Sequence, residues 1–248
     1  MTRGWLRTAH IGLATCAVLA SSSSVAHAEL ILLGSVPAQA FTDLGAQGFG
    51  NAPRMLTLQT SSFESGSVTP IDLVHGDAVS GANKSTTPTL GSLQWSSGGK
   101  VGIGFNATQS GGTGITLDTL VLTIFNGTIP VGTFSLLSPI QFTAADLALQ
   151  TGNGNGVFGF GLSLAEQQQF NTLLGQPGAS GFFAGLSASL GCGSNPPPGC
   201  QVSNAGPDSF VGFQVAATPD GGFTLGMLGL AFVALGAVRA GFFTRAKP

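Results

Sequence analysis

Charge is what this sequence has least of: only 7% of its 248 residues are Asp, Glu, Lys or Arg, against roughly a quarter in an average soluble protein. Between Glu29 and Thr218 the basic residues are Arg54, Lys84 and Lys100 alone, facing nine acidic ones, a net of −6. That balance excludes nucleic acid as a partner, because phosphate binding rests on clustered Lys and Arg that release counterions. Tyrosine is absent, and Trp95 is the one tryptophan outside the first 28 residues, so the aromatic platform of a sugar-binding cleft is thin. Histidine and cysteine, three of each, are too sparse for a zinc site of usual spacing, and no cofactor or metal is expected. The sequence also has no Gly-x-Ser-x-Gly elbow, no His-Glu-x-x-His and no Gly-x-x-x-x-Gly-Lys phosphate loop, which removes the commonest signatures of hydrolases, metalloproteases and nucleotide enzymes.

What is abundant is glycine, at 39 residues, together with Ser, Thr, Asn and Gln, so solubility rests on neutral polar groups. Long apolar runs are confined to the two ends. Residues 1–28 combine Arg3 and Arg7, an apolar run from Ile11 to Ala20, and a small-residue exit at Ala26-His27-Ala28, the three-part pattern of a secretion signal cut after Ala28. The run is too short for a hydrocarbon core that takes about 20 residues. Leu13-Ala14-Thr15-Cys16 approximates a lipobox, with Thr15 where a smaller residue is usual.

At the other end, Phe223 to Val238 is apolar and is followed by Arg239, Arg245 and Lys247. Extended to Phe243 with Arg239 snorkelling, it is long enough to span a bilayer. The basic residues beyond it are expected to stay cytoplasmic, placing everything before Phe223 outside. The stretch Thr218-Pro219-Asp220-Gly221-Gly222-Phe223, running on to Arg239, resembles the sorting signal of PEP-CTERM proteins in its Val-Pro-Asp-Ser-Gly variant. Thr218 stands where Val is usual, and the basic residues are spread out instead of clustered at the helix end. The resemblance covers residues 218–247 and implies processing by an exosortase, with Pro219, Asp220, Gly221 and Gly222 as the sorting motif. A plain tail anchor containing a Pro-Asp-Gly-Gly turn is the alternative.

The intervening residues, 29–217, read as one β-rich extracellular domain. Short apolar runs separated by Gly, Pro, Asn and Ser predict an all-β fold, a β-sandwich of jelly-roll type with one short helix. Strands are expected at 30–34, 55–60, 68–74, 89–95, 100–106, 115–126, 130–137, 157–162, 182–190 and 209–216. The run at 115–126 is apolar on both faces and should be central. Asn126-Gly127 predicts a type I′ hairpin turn after it. One helix is expected over 164–174, opened by a Ser163/Glu166 capping box and ended by Gly175. Stretches such as Leu90-Gly91-Ser92-Leu93 and Phe158-Gly159-Phe160 are similar to the ectodomains of some PEP-CTERM proteins.

Cys192 and Cys200 enclose Gly193-Ser194-Asn195-Pro196-Pro197-Pro198-Gly199. An even pair in an exported chain predicts a disulfide-closed loop, contributing about 2 kcal/mol. Gly154-Asn155-Gly156-Val157-Phe158-Gly159 formally matches a dinucleotide fingerprint, but an apparent strand follows it where that motif needs a helix. His75-Gly76-Asp77 sets a histidine beside a carboxylate and reads as a surface turn. Paired carboxylates for glycoside hydrolysis would have to come from Glu64, Asp72, Asp118, Asp146 and Glu166. The functional expectation is a non-enzymatic, exosortase-processed protein of the envelope or the extracellular polysaccharide matrix. Its partners would be signal peptidase, exosortase, transiently the inner membrane, and polysaccharide. The alternative is a secreted carbohydrate-binding or weakly carbohydrate-active β-sandwich.

Overall fold

The computed structural model describes residues 29–35, 52–71, 73–81, 83–109, 112–148, 157–204 and 206–215. The readings placed on Ala26, Ala28, Asp72, Pro219, Asp220, Gly221, Gly222 and the apolar span from Phe223 lie outside them. Among the described residues no helix is long and apolar enough to cross a membrane.

The β expectation holds, with 48% of the described chain in strands. These are β1 (Glu29–Ser35), β2 (Arg54–Leu58), β3 (Phe63–Thr69), β4 (Leu73–Gly76), β5 (Val101–Asn106), β6 (Ile115–Asn126), β7 (Ile129–Leu136), β8 (Ile140–Phe142), β9 (Val157–Leu162), β10 (Phe183–Gly191) and β11 (Asp208–Gln214). Among the described residues the helices are α1 (Ala144–Ala148) and α2 (Leu164–Leu174), with 3₁₀ turns at Gly98–Lys100 and Ala179–Gly181.

The two facing sheets of a sandwich are replaced by one curled sheet, a half-barrel. Its order is β2-β11-β5-β9-β1-β7-β6-β10-β3-β4, with β8 on β6. The pairs are antiparallel except β1 with β7, which is parallel. The curl brings the sheet's two edges together. Leu58 at the end of β2 bridges Ala78 just past β4, and Val79 N–H donates to Thr57 O at 2.8 Å. The backbone groups at the end of β2 are thereby paired with the segment that follows β4 instead of being left as an open edge.

Curling also explains where the core lies. Alternate residues of each strand point inward, and Leu56, Leu58, Ile103, Phe105, Leu120, Leu122, Ile124, Phe160, Leu186, Leu190 and Phe210 join one buried cluster. On the opposite face of β11, Val211 and Phe213 form a small second cluster. Gly102 makes that possible, because a Cβ there would run into the Phe213 ring. The central position expected for β6 holds, since it pairs with β7, β8 and β10.

The turn after β6 differs from expectation. Asn126 pairs with Ile129, leaving Gly127 and Thr128 as the loop, and of the hairpin residues only Gly127 has positive φ, at 62°. A single positive φ at the first central residue is the type II′ pattern.

Helix α2 occupies its expected residues, but its capping box does not form: Ser163 makes no side-chain cap bond. Glu166 is instead buried, with Oε2 lacking a hydrogen-bond partner. The reciprocal box is found at α1, where Asp146 Oδ2 accepts from Thr143 N–H at 2.7 Å and Thr143 Oγ1 accepts from Asp146 N–H at 3.2 Å. Hydrogen bonds from Thr143 hold the Asp146 carboxyl below the usual range. Phe170 anchors α2 to the sheet, lying 6.3 Å from Trp95 and 5.9 Å from Phe134 between ring centroids. The segment 89–95, expected as a strand, is a pair of turns, with Leu90, Leu93 and Trp95 buried.

Candidate functional site

The densest polar network in the described chain lies at one end of the sheet, where β10 leaves and β11 enters. Gly191 ends β10 with φ of 85°, and a Cβ there would overlap Ser62 O, so only glycine fits this exit. The chain then runs as a strap, residues 192–204, across the strand ends. Cys192 and Cys200 are joined as expected, with Cα atoms 5.8 Å apart, a normal disulfide span.

Beyond the bridge the strap is fastened to its neighbours one residue at a time. Gln201 N–H donates to Thr116 Oγ1 on β6 at 2.8 Å, and Thr116 N–H returns a bond to Gln201 O at 3.1 Å. Ser203 exchanges backbone bonds with Ser62, at 2.7 and 3.2 Å. Asn204 N–H donates to Gln109 Oε1 at 3.2 Å, and Asn204 Nδ2 to Thr113 Oγ1 at 2.6 Å. Loss of the bridge by Cys200→Ser is expected to cost about 2 kcal/mol, read as a lower denaturation midpoint under non-reducing conditions.

Beneath the strap two carboxylates converge. Glu64 on β3 and Asp208 at the start of β11 are both fully buried. Each takes an inward position that strand alternation gives to apolar residues elsewhere, such as Val68 and Phe210. Ser203 stands between them. Its hydroxyl donates to Glu64 Oε1 at 2.7 Å and lies 3.5 Å from Asp208 Oδ2. Glu64 Oε1 also accepts from Thr60 N–H at 3.3 Å, and Asp208 Oδ1 from Thr108 N–H at 2.6 Å. Glu64 Oε2 is buried with no hydrogen-bond partner.

Burial in a low-dielectric interior favours the neutral acid. It pushes Asp208 up to about 8, with the nearby Glu64 adding to the rise and the bonds from Thr108 and Ser203 opposing it. Burial likewise raises Glu64, opposed by Ser203 and Thr60 and reinforced by Asp77. Arg54, Lys84 and Lys100 do not contribute to either shift. Among the described residues no group of three or more His, Cys, Asp or Glu is placed to hold a metal ion.

The remaining sequence candidates are dispersed. Asp118 sits on β6, accepting from Ser189 Oγ at 3.1 Å. It lines an open groove of about 700 Å³ with Phe63, Cys192, Gly193, Ser194 and Asn195. Asp146 caps α1, and Glu166 is buried in α2. His75 and Gly76, read from the sequence as a surface turn, end strand β4, with His75 exposed, and the turn begins at Asp77, whose Oδ2 accepts from Ser65 N–H at 2.9 Å. The formal dinucleotide fingerprint runs into β9.

Trp95 offers no stacking face for a sugar. It is 1% exposed, and its Nε1–H donates to Phe213 O at 2.8 Å. The converging pair, Glu64 with Asp208, includes a residue the sequence reading left out of its acid–base candidates. Both are shut away from any substrate, which an acid–base pair for glycoside hydrolysis must touch. No protein-family model, no curated protein and no solved structure matches the chain.

Proposed function

We propose that the chain is an exported, non-enzymatic ectodomain that exosortase processing delivers to the cell envelope or the extracellular polysaccharide matrix. The observation that carries this reading is the Cys192–Cys200 bridge, since structural disulfides belong to oxidising, extracytoplasmic compartments. It joins the two terminal signals read from the sequence. The enclosed core of aromatic and aliphatic side chains suits a protein that persists outside the cell.

In this account signal peptidase acts after Ala28. Phe223 to Val238 serves as a transient membrane helix, and Arg239, Arg245 and Lys247 hold its cytoplasmic end. Exosortase reads Pro219 and Asp220, with Gly221 and Gly222 completing the sorting motif. The double substitution Pro219→Ala with Asp220→Ala is expected to leave the full-length tail on the protein in the membrane fraction, as read by immunoblot of fractionated cells. Processing equal to wild type would remove the sorting assignment.

A further inference from the structure

We infer that Glu64, Ser203 and Asp208 form a proton-held latch that fastens the disulfide strap to the end of the sheet. Ser203 places one hydroxyl between two carboxyl groups, 2.7 Å from Glu64 Oε1 and 3.5 Å from Asp208 Oδ2. A hydroxyl has a single proton to donate, and here it goes to Glu64. Two ionised carboxylates would then leave Asp208 Oδ2 facing an oxygen that gives it nothing. A proton on Asp208 resolves this, since Asp208 O–H donates to Ser203 Oγ while Ser203 O–H donates to Glu64. The result is a continuous relay of donors from β11 through the strap to β3.

The surroundings leave the proton without a competitor. Facing Glu64 are Asp208 from β11 and Asp77 from the turn after β4, both acidic, while β10 sets the apolar Leu190 opposite it. Facing Asp208 are Glu64 and the uncharged Thr108 and Ser203. Glu64 Oε2, buried with no hydrogen-bond partner, marks an unfilled acceptor in the same cluster. The raised affinity of both carboxyls for protons agrees with this geometry.

The latch acts on the strap because Ser203 is the strap's own residue, and its backbone also pairs with Ser62. Loss of the proton puts two like charges on either side of one hydroxyl in a buried site, a costly arrangement. The relief is for Ser203 to withdraw, taking the Ser62 pairing with it and loosening the strap that carries the half-buried Cys192–Cys200 bridge. The strap is therefore closed in neutral and acidic surroundings and opens in alkaline ones.

The test is the rate at which a water-soluble phosphine reduces the Cys192–Cys200 bridge in the full chain at about pH 6 and about pH 9, each rate taken relative to Asp208→Asn. Asparagine keeps the Oδ1 acceptor for Thr108 and supplies a permanent Nδ2–H donor to Ser203, locking the latch. The wild-type to Asp208→Asn ratio is expected to stay near one at the lower pH and to rise roughly tenfold or more at the higher, as expected where opening is coupled to loss of a proton. Ser203→Ala, which removes the relay without touching either acid, is expected to give fast reduction at both pH values. A wild-type ratio that does not change with pH would overturn the latch. So would opening of the strap by a calcium chelator at the lower pH, which would make the cluster a cation site.

Discussion

Replacing Phe105 by alanine is expected to cost about 3–5 kcal/mol of folding stability. Phe105 is fully buried near the end of β5, between strands that come from distant parts of the chain. Its ring stacks on Phe210 of β11 at 4.8 Å between centroids, and meets Phe142 of β8 at 5.8 Å and Phe158 of β9 at 6.3 Å. Phe142 and Phe158 are themselves stacked at 3.9 Å. One ring thus joins three strands, and each aromatic contact adds about 0.5–1.5 kcal/mol beyond the area it buries. Alanine would leave a void with rings on several sides, each held by its own strand and unable to collapse into it. Against a domain stability of about 5–15 kcal/mol the loss is about a fifth or more. Urea unfolding measures it, and a change under about 1 kcal/mol would show that the aromatic cluster does not organise this core.

The second large effect is on pH. Asp208, ordinarily near 3.8, is pushed up to about 8 in the fold. Between those values the folded chain holds a proton that the unfolded chain has released, so the unfolded state binds fewer protons and stability falls as pH rises. The penalty is absent below about pH 4, grows by about 1.4 kcal/mol per unit, and is complete above about pH 8, on the order of 5 kcal/mol in all. Glu64 is raised too and acts in the same direction. Asp146, lowered and exposed, acts oppositely and only in strong acid. Unfolding midpoints measured across this range are expected to decline steadily in wild type and much less in Asp208→Asn. A midpoint that climbs from pH 4 to pH 8 would mean that the two carboxylates are ionised and compensated in the fold.

How much of this was legible beforehand depended on whether a residue's role is set by its neighbours in sequence. Strand β6, read from its doubly apolar pattern, appears at the expected residues, and so does β9. Helix α2 was expected from a Ser163/Glu166 capping box and a stop at Gly175; its residues are as expected although the box itself does not form. Strand β3, Phe-Glu-Ser-Gly-Ser-Val-Thr, was missed over 63–67 because its inward positions hold Glu64, Gly66 and Val68, a sequence with little apolar signal; the strand expected at 68–74 takes in only its last two residues, the turn at 70–71 and the start of β4. Leu90, Leu93 and Trp95 suggested a strand because they are apolar. They reach the core instead from successive turns, in which Leu93 N–H donates to Thr89 O and Gln94 takes a φ of 55°.

The single continuous sheet could not be read from strand patterns, which do not say that β1 lies parallel to β7 or that β2 and β4 curl round to meet. The candidate site divides along the same line. Cys192 and Cys200 are close in sequence and were paired correctly. Glu64 and Asp208 come from opposite ends of the domain and carry no motif. The available signal was a carboxylate at an inward strand position in a chain with almost no charge.

The central claim, that this is an exported ectodomain cut free of its tail, is tested most directly by the intact mass of the protein recovered from the surface and medium of a host that has an exosortase. The account predicts a species that begins at Glu29 and lacks everything after the Pro219 region. A species retaining Lys247 and staying with the inner membrane would contradict it and make the chain a permanently anchored protein.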